Sequence, residues 1–539
     1  MSLNDESETL SGQTYGSRML ILPQPQNAQR AFSTLIMQNN YETIPFLDAC
    51  EDRLNKEVSN DSNDFLLVLS LISDLRSWGA VFEIFESKLY VVLPEITKYD
   101  TDPQTKDRIR NSLLRLRGVQ EKFVETVTME EAIELLKIGK ISLEQVDGDD
   151  DRLVDTFRSG VATWSMPYRT REGRSMRFVM FAEKMSVKTP IAILEIGDDA
   201  PHNPPRDKYM GFDTSYTDCS KADLDSLANR FMNIRSSLLS DGLPDNYKSD
   251  INELIGQVDN FKIEGRGREG NHDEISRRKR FTYLHRLLRA EGACRGLISD
   301  PPSGFADGLR VLRDLSIPRT NVELTICGAL PPFGSLLVGK LIAGMATHPL
   351  VRSFVDRDFG IITKSIFDTE KLQKLISNNG VLIVTTKGLY PGHSSQYNGV
   401  QFKTVSGKNA KLMKLGDTIG QTASHISDRT MKLSVSVLQE YGRQSVSKVY
   451  GAGGAKRQRT IEAGIKSLGL PPELCHARVS RPVYGLSMVS NLEEIILFNE
   501  RPEWLISPYL RGENQELFMK NSYLVWANRW LDKAVKRAG

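Results

Sequence analysis

A short polar segment at residues 385–399 carries side chains that could take part in acid–base or nucleophilic chemistry. It reads TTKGLYPGHSSQYNG and places His393, Tyr397 and Asn398 in a turn after a predicted strand. A histidine can donate or accept a proton near neutral pH, and a hydroxyl beside a base can act as a nucleophile. The sequence identifies no third member of a triad. The alternative is a turn whose polar groups satisfy the local backbone.

Two local groups of basic residues are candidates for contact with nucleic acid. The first, here called the first basic cluster, contains Arg277, Arg278, Lys279 and Arg280, with Phe281 and Tyr283 after it. The second basic cluster contains Lys456, Arg457 and Arg459 and follows a glycine-rich turn. Basic side chains neutralise phosphates, and aromatic rings stack on unpaired bases. The alternative is solvated helix faces, or pairing with carboxylates of this chain or of a protein partner.

Residues 334–340, GSLLVGK, match the first seven positions of a phosphate-binding P-loop. The next residue is Leu341, where a P-loop has Ser or Thr to hold magnesium. Read at helical spacing, Leu336, Leu337, Leu341 and Ile342 form a core face instead. The sequence therefore predicts no nucleotide here, and no cofactor is predicted elsewhere.

A metal site is also not predicted. The histidines form no HxxxH pair and the five cysteines form no CxxC pair. The acidic run at residues 147–151 could bind a hard cation, but Arg158 stands where an EF-hand loop starting at Asp147 needs glutamate. Like charges oppose packing, so the run is predicted to be an exposed linker between domains.

The overall composition limits the classes of partner. The chain has 70 basic and 68 acidic residues, a formal net charge of +2, so any attraction for nucleic acid must be local. An odd number of widely spaced cysteines favours reduced thiols in the cytoplasm. The N-terminus has no apolar signal segment, and no apolar stretch approaches the ~20 residues of a membrane span. We therefore expect a cytoplasmic protein without a membrane partner.

The elements that position these groups predict a mixed α/β (α+β) fold with a central mixed sheet and flanking helices, loosely acetyltransferase-like. Residues 65–78 are predicted to form a helix that ends at Gly79, followed by a β-hairpin that turns at residues 86–88. The pattern becomes β-rich from residue 156 to residue 212. A polar helical insertion is predicted at about residues 213–317, and a C-terminal helix at about residues 513–537.

These patterns divide the chain into five parts. They are a disordered tail at 1–30, a mainly helical N-terminal domain with a β-hairpin at 31–146, the acidic linker at 147–151, an α/β core with the helical insertion at 152–440, and a C-terminal region of Gly-rich turns and helices at 441–539.

Several stretches in order over roughly residues 65–500 together resemble the Druantia anti-phage DruA family. They include RDKYMGF, ICGALPPFGSLLVGKLIAGMATHP, TTKGLYPGHSSQYNGV, LGDTIGQTASHISD, VYGAGGAKRQR and GLPPELCHARVSRPVYGL. The resemblance implies a bacterial cytoplasmic defence protein encoded beside other Druantia components, including a large helicase. Related domains attached to transposases hint at DNA. The family supplies no settled catalytic residues, so none is carried over.

Two classes of function remain open. The leading hypothesis is a recognition subunit that contacts DNA, RNA or partner defence proteins. The alternative is a divergent enzyme, acyltransferase-like or a nuclease, with His393 or Tyr397 at its centre. Acetyltransferase-type folds hold a pyrophosphate with an R/Q-x-x-G-x-G/A pattern before a helix, and residues 332–340 lack this pattern.

Overall fold

The computed structural model describes most of the chain. The described residues are 14–15, 18–56, 61–95, 127–162, 175–200, 202–239, 272–354, 380–388, 396–403, 409–422, 425–442, 454–506 and 513–538. Within them the protein is a mixed α+β fold built around one large mixed sheet, as the sequence predicts. No helix in these ranges is long and apolar enough to cross a membrane.

The N-terminal part packs three helices against a small sheet of order β2-β4-β3, while β1 pairs with β5. The elements are β1 Thr14–Tyr15, β2 Met19–Ile21, α1 Gln26–Gln38, α2 Thr43–Asn55, α3 Asn63–Trp78, β3 Val81–Phe85, β4 Lys88–Val92 and β5 Pro94–Glu95.

Local sequence signals explain the ends of these elements. Ser62 accepts a hydrogen bond from the backbone N–H of Phe65 and so caps the start of α3. Gly79 follows α3 with φ of 90°, the left-handed conformation that glycine adopts without steric cost. Glu86 and Ser87 both have positive φ in the tight turn between β3 and β4. The predicted helix and hairpin are thereby confirmed.

The central sheet of the described chain has seven strands in the order β13-β14-β10-β9-β8-β7-β6. Its strands are β6 Ile141–Gln145, β7 Ser175–Lys184, β8 Val187–Gly197, β9 Asn321–Ala329, β10 Ile383–Lys387, β13 Met413–Thr422 and β14 Ala477–Ser487. Neighbouring strands are antiparallel, except that β9 and β10 are parallel. A separate hairpin joins β11 Gln401–Lys403 to β12 Asn409–Lys411.

The described residues contain thirteen further α-helices. They are α4 Met129–Ile138, α5 Asp151–Ala162, α6 Pro204–Tyr209, α7 Lys221–Leu239, α8 His272–Cys294, α9 Pro301–Thr320, α10 Val338–Met345, α11 Pro349–Phe354, α12 Asp428–Glu440, α13 Gly454–Ser467, α14 Leu492–Phe498, α15 Glu513–Trp526 and α16 Asp532–Ala538. Short 3₁₀ turns occupy Tyr216–Asp218 and Pro472–Cys475, and a π-helical turn, Ala527–Leu531, joins α15 to α16.

Helices cover both faces of the central sheet. Helices α4, α10 and α15 pack on one face of the sheet. On the other face, α5 contacts β7 and β8, while α7, α8, α9 and α14 form a second core. Helices α7, α8 and α9 all lie between β8 and β9 along the chain, in the segment for which a helical insertion is predicted.

The N-terminal helices share their core with a distant part of the chain. Helices α12 and α13, which separate β13 from β14, supply Val437, Ile461 and Ile465 to that core. The buried carboxylate of Asp74 accepts hydrogen bonds from the N–H of Ser427 at 2.8 Å and from the hydroxyl of Thr430 at 2.5 Å. These contacts hold α3 against α12.

The acidic run connects two elements of one layered unit. It follows β6, which pairs with β7 in the central sheet, and it precedes α5, which packs on that sheet. A carboxylate oxygen of Asp150 accepts from the N–H of Leu153 at 3.1 Å, so this aspartate caps α5. Residues 156–162 belong to α5, and the expectation of β structure there is wrong because Leu153, Phe157 and Val161 form an apolar helical face.

Candidate functional site

The parallel strands β9 and β10 pair only at their beginnings. The register joins Asn321 to Ile383 and ends at Glu323 and Thr385, although β9 continues to Ala329 and β10 to Lys387. Polar side chains from both strands, and from the turn at residues 396–399, gather around this divergence. Ligand sites of α/β sheets commonly lie where neighbouring strands separate in this way.

Side chains of the chain itself fill the gap between the two strands. The amide of Gln396 donates to the carbonyl oxygen of Cys327 at 2.8 Å, beyond the paired part of β9. The hydroxyl of Thr386 donates to the carbonyl oxygen of Leu324 at 2.9 Å. The ring of Tyr397 is buried, with its centroid 5.4 Å from that of Tyr484 on β14. Gln396 and Thr386 thus supply hydrogen-bond donors to backbone carbonyl groups of β9 beyond its paired part, and Tyr397 packs beside them.

Two of the three predicted catalytic candidates lie in this turn. Burial raises the pKa of Tyr397 well above its ordinary value, so its phenol is protonated at neutral pH. Asn398 is exposed; its backbone carbonyl accepts from Lys340 Nζ at 2.8 Å and its side-chain oxygen accepts from the Tyr484 hydroxyl at 3.1 Å. His393 lies outside the described residues. A catalytic role for these residues stays a prediction.

A network of buried and partly buried charges lies beside the paired ends of β9 and β10. We call it the central polar cluster; its members are Asp199, Arg206, Glu323, Thr385 and Lys387. Asp199, just after β8, accepts from the Thr385 hydroxyl at 2.6 Å and lies 2.9 Å from Arg206 Nη1. Lys387 Nζ lies 3.3 Å from Asp199 Oδ1 and 2.9 Å from Glu323 Oε1. The cluster therefore links β8, β9, β10 and α6.

Each charge in the cluster is stabilised by its neighbours. Burial alone would raise the pKa of Asp199, but Lys387, Arg206 and hydrogen bonds from Thr385 and Asn321 lower it to about 2. Burial alone would lower the pKa of Lys387, yet Glu323 and Asp199 raise it above its ordinary value. Both groups are therefore ionised at neutral pH. Buried ion pairs of this kind are strongly interdependent, because removing one partner leaves an uncompensated charge.

Arg206 extends the network toward the surface. Its side chain is fully buried, and its Nε donates to Asp207 Oδ1 at 2.9 Å while Nη1 also donates to the carbonyl oxygen of Ala200 at 2.7 Å. Asp207 Oδ2 lies 2.7 Å from Nδ1 of the exposed His202. One guanidinium thus bridges two carboxylates, an arrangement that its planar fork of donors suits.

The first basic cluster lies on α8, but the side chains of Arg277, Arg278, Lys279 and Arg280 are outside the described part of the structure. The following residues serve the packing of α8 on α9. Tyr283 is buried and donates to Asp314 at 3.2 Å, while Arg286 and Arg289 both pair with Asp307.

The second basic cluster begins α13. The side chain of Lys456 is not among those described, and that of Arg459 is partly exposed. Arg457 is buried; it donates to the carbonyl oxygen of Ile426 at 2.5 Å and lies 3.3 Å from Asp428. Its guanidinium is therefore occupied inside the fold, whereas contact of Lys456 and Arg459 with nucleic acid stays a prediction.

Residues 334–337 form a turn, and residues 338–340 begin α10. Leu336, Leu341 and Ile342 are buried against the central sheet as predicted, but Leu336 and Leu337 precede the helix, and Leu337 has φ of 60° and is partly exposed. In the described ranges, no three His, Cys, Asp or Glu side chains gather in a way that could hold a metal ion.

The central polar cluster was not predicted from the sequence. Glu323 and Lys387 belong to strands that read as ordinary apolar runs, and Arg206 belongs to a short helix after a loop. A usable signal existed, because a charged residue inside an otherwise apolar strand is costly to bury unless it is paired. The identity of its partners required the fold.

Comparison with known proteins identifies the central part of the chain. Residues 320–497 match the family model described as Druantia protein DruA. This region is similar to the DruA family. A DruA protein from Escherichia coli (strain UMEA 4076-1) is 26% identical over 176 residues, which cover 32% of this chain and 41% of that relative. No solved structure matches the chain.

The DruA region begins at the end of α9 and contains β9, β10, β13 and β14. It therefore includes the diverging strands, the turn at 396–399, Glu323, Thr385 and Lys387. Asp199 and Arg206 precede it. The central polar cluster thus joins the DruA region to the part of the chain before it.

Proposed function

We propose that this protein is a component of a Druantia-type anti-phage defence system and acts there as a recognition subunit that contacts nucleic acid. The observation that carries the defence role is the match of residues 320–497 to the DruA family. The match spans only 41% of the relative's length. The activity of the whole protein is therefore our inference and is not taken from that relative. Other components of the system, including a helicase, would be its partners in the cytoplasm.

The geometry around β9 and β10 supports recognition over catalysis. Gln396 and Tyr397 occupy the gap between the strands, and Tyr397 is held protonated by its burial. The ion pair between Asp199 and Lys387 stabilises both side chains in their charged forms, within the cluster that links β8, β9, β10 and α6. Groups bound in this way maintain a shape and are poorly suited to exchange protons with a substrate.

Phage protection by the whole defence system tests which role the turn has. If the protein is a recognition subunit, His393→Ala and Tyr397→Phe should each retain protection in a plating assay. The melting temperature of each variant serves as the control for folding. Loss of protection with an unchanged melting temperature would favour the enzyme and contradict our proposal.

Salt-dependent filter binding tests contact with nucleic acid. Each phosphate neutralised on duplex DNA contributes about −0.9 to the slope of log affinity against log salt, so five contacts give roughly −4 to −5. Reversing Arg278 and Lys279 to glutamate should flatten the slope by about 2. Reversing Lys208 and Lys221, which are exposed on other helices, should leave it unchanged. No measurable binding to DNA or RNA at low salt would leave partner proteins as the ligands of these residues.

A second candidate function, acyl transfer, is favoured by one observation. The parallel pair β9 and β10 lies inside an otherwise antiparallel sheet with α10 between the two strands along the chain, which fits the acetyltransferase-like arrangement suggested by the sequence. Against it, Gln396 and Tyr397 already fill the gap between these strands. Titration with acetyl-CoA separates the two, since binding is expected only for the enzyme.

A further inference from the structure

Three arginine side chains converge on one carboxylate where α8 packs against α9. Arg289 Nη1 pairs with Oδ2 of Asp307. Arg310 Nη1 lies 3.3 Å, and Arg286 Nε lies 3.7 Å, from Oδ1 of the same carboxylate. Arg286 and Arg289 come from α8, whereas Arg310 and Asp307 come from α9. We call Arg286, Arg289 and Arg310 the arginine triad; its three cations share a single carboxylate.

The other carboxylates described on α8, on α9 and between them have partners of their own. Asp314 lies 3.0 Å from Arg313, and Glu291 lies 3.0 Å from Arg235. Asp300 accepts a hydrogen bond from the backbone at the start of α9 at 3.2 Å. Among the side chains that the structure describes, Asp307 is therefore the one carboxylate that pairs with the arginine triad.

The triad is accessible to solvent and continues the line of the first basic cluster. The side chain of Arg310 is 49% exposed, and those of Arg286 and Arg289 are 27% and 21% exposed. Position 278 precedes Arg289 by about three helical turns, so the two positions share one face of α8 about 16 Å apart along its axis. Residues 272–320 contain ten Lys or Arg and six Asp or Glu, so positive charge is in excess along both helices.

We propose that the arginine triad binds the phosphodiester backbone of a nucleic acid. This site rests on the proposed function and gives the nucleic acid a position on the chain. Guanidinium groups offer planar donors that match phosphate oxygens, and one carboxylate cannot occupy the donors of three such groups. Asp307 holds the three side chains in place before binding, which reduces the conformational entropy lost when they meet a phosphate. Contacts of this kind do not depend on base sequence.

Filter binding of the full chain to a short duplex DNA at several salt concentrations tests the site. Arg310→Gln and Arg286→Gln should each weaken binding about tenfold at low salt, the effect of losing a hydrogen bond between charged groups. Each change should also flatten the slope of log affinity against log salt by about 0.9. Arg18→Gln is the matched control and should bind like the wild-type protein, because Arg18 is 48% exposed and pairs with Glu83, outside α8 and α9. Arg310 is the most exposed member of the triad, so its variant should keep the wild-type melting temperature even if Arg286→Gln lowers it.

The outcomes separate the triad site from the proposed function. If the wild-type protein binds neither DNA nor RNA at low salt, the proposed function fails and the triad site fails with it. If the wild-type protein binds, but Arg310→Gln and Arg286→Gln bind as tightly as Arg18→Gln, only the triad site is overturned.

Two further ligands identify what the triad recognises. Duplex RNA is titrated beside duplex DNA, and the loss of affinity in Arg310→Gln should be largest for the backbone that the triad fits best. Polyglutamate carries a similar density of negative charge without phosphate, and its binding should not respond to Arg310→Gln. A tenfold loss for polyglutamate as well would assign the triad to an acidic protein partner and overturn the proposal.

Discussion

Replacing Arg206 by methionine is expected to lower the free energy of unfolding by about 3–5 kcal/mol. The change leaves the carboxylates of Asp199 and Asp207 buried without the guanidinium that now bridges them. Lys387 still lies 3.3 Å from Asp199 and Arg313 still lies 3.7 Å from Asp207, but both contacts are longer than those that Arg206 makes with the two carboxylates. Urea denaturation followed by circular dichroism measures the effect.

Lys208→Met is the matched control for this change. Lys208 lies two residues away on the same short helix and is exposed, so its loss should alter stability by less than about 0.5 kcal/mol. Adding Asp199→Asn and Asp207→Asn to Arg206→Met should recover part of the loss, because the carboxylates that lost their shortest ion pairs are then neutral. Equal stability of Arg206→Met and the wild-type protein would show that the ion pairs contribute little.

Gly308→Leu is expected to destabilise the helices between β8 and β9 by about 2–3 kcal/mol. A Cβ atom at Gly308 would stand 2.4 Å from Cβ of Ala290 and 2.7 Å from the ring of Phe231, so α9 would have to move away from α8 and α7. Leucine is the better helix former by about 1 kcal/mol, which is too little to offset this overpacking. The urea midpoint of the variant provides the measurement.

Ala306→Leu provides the comparison for Gly308→Leu. Ala306 is exposed on the same helix, so a larger side chain there meets solvent and should change stability by less than about 0.5 kcal/mol. If Gly308→Leu and Ala306→Leu unfold at the same urea concentration, close packing of α9 on its neighbours is not required.

The features that the sequence predicts well depend on short-range signals. Helix α3 is recognisable because an apolar run ends at Gly79, and the strands β7 and β8 because two apolar runs flank a polar turn. Each signal lies within a few residues of the element that it specifies. The mixed sheet and the helical insertion follow from the order of such elements.

The candidate site could not be predicted in the same way. Asp199, Arg206, Glu323 and Lys387 are spread over nearly 190 positions, and their pairing depends on strand order. The acidic run was expected to separate domains because its charges repel, but Asp150 uses its carboxylate to cap a helix. The sequence placed Arg457 in the second basic cluster, where it was a candidate for contact with nucleic acid. Its side chain is instead buried, because α13 packs next to Ile426 and Asp428.

The shared core of the N-terminal helices and α12–α13 has a consequence for synthesis on the ribosome. Ile426, Val437 and Ile461 complete a core that begins at Ile21, and Ile426 follows Leu93 by 333 residues (426 − 93). At a synthesis rate of about 5–20 residues per second, roughly 20 to 70 s pass between the synthesis of Leu93 and that of Ile426. During that interval their apolar faces are available to chaperones and to other nascent chains. Slow translation of the middle of the message should therefore reduce the yield of folded protein.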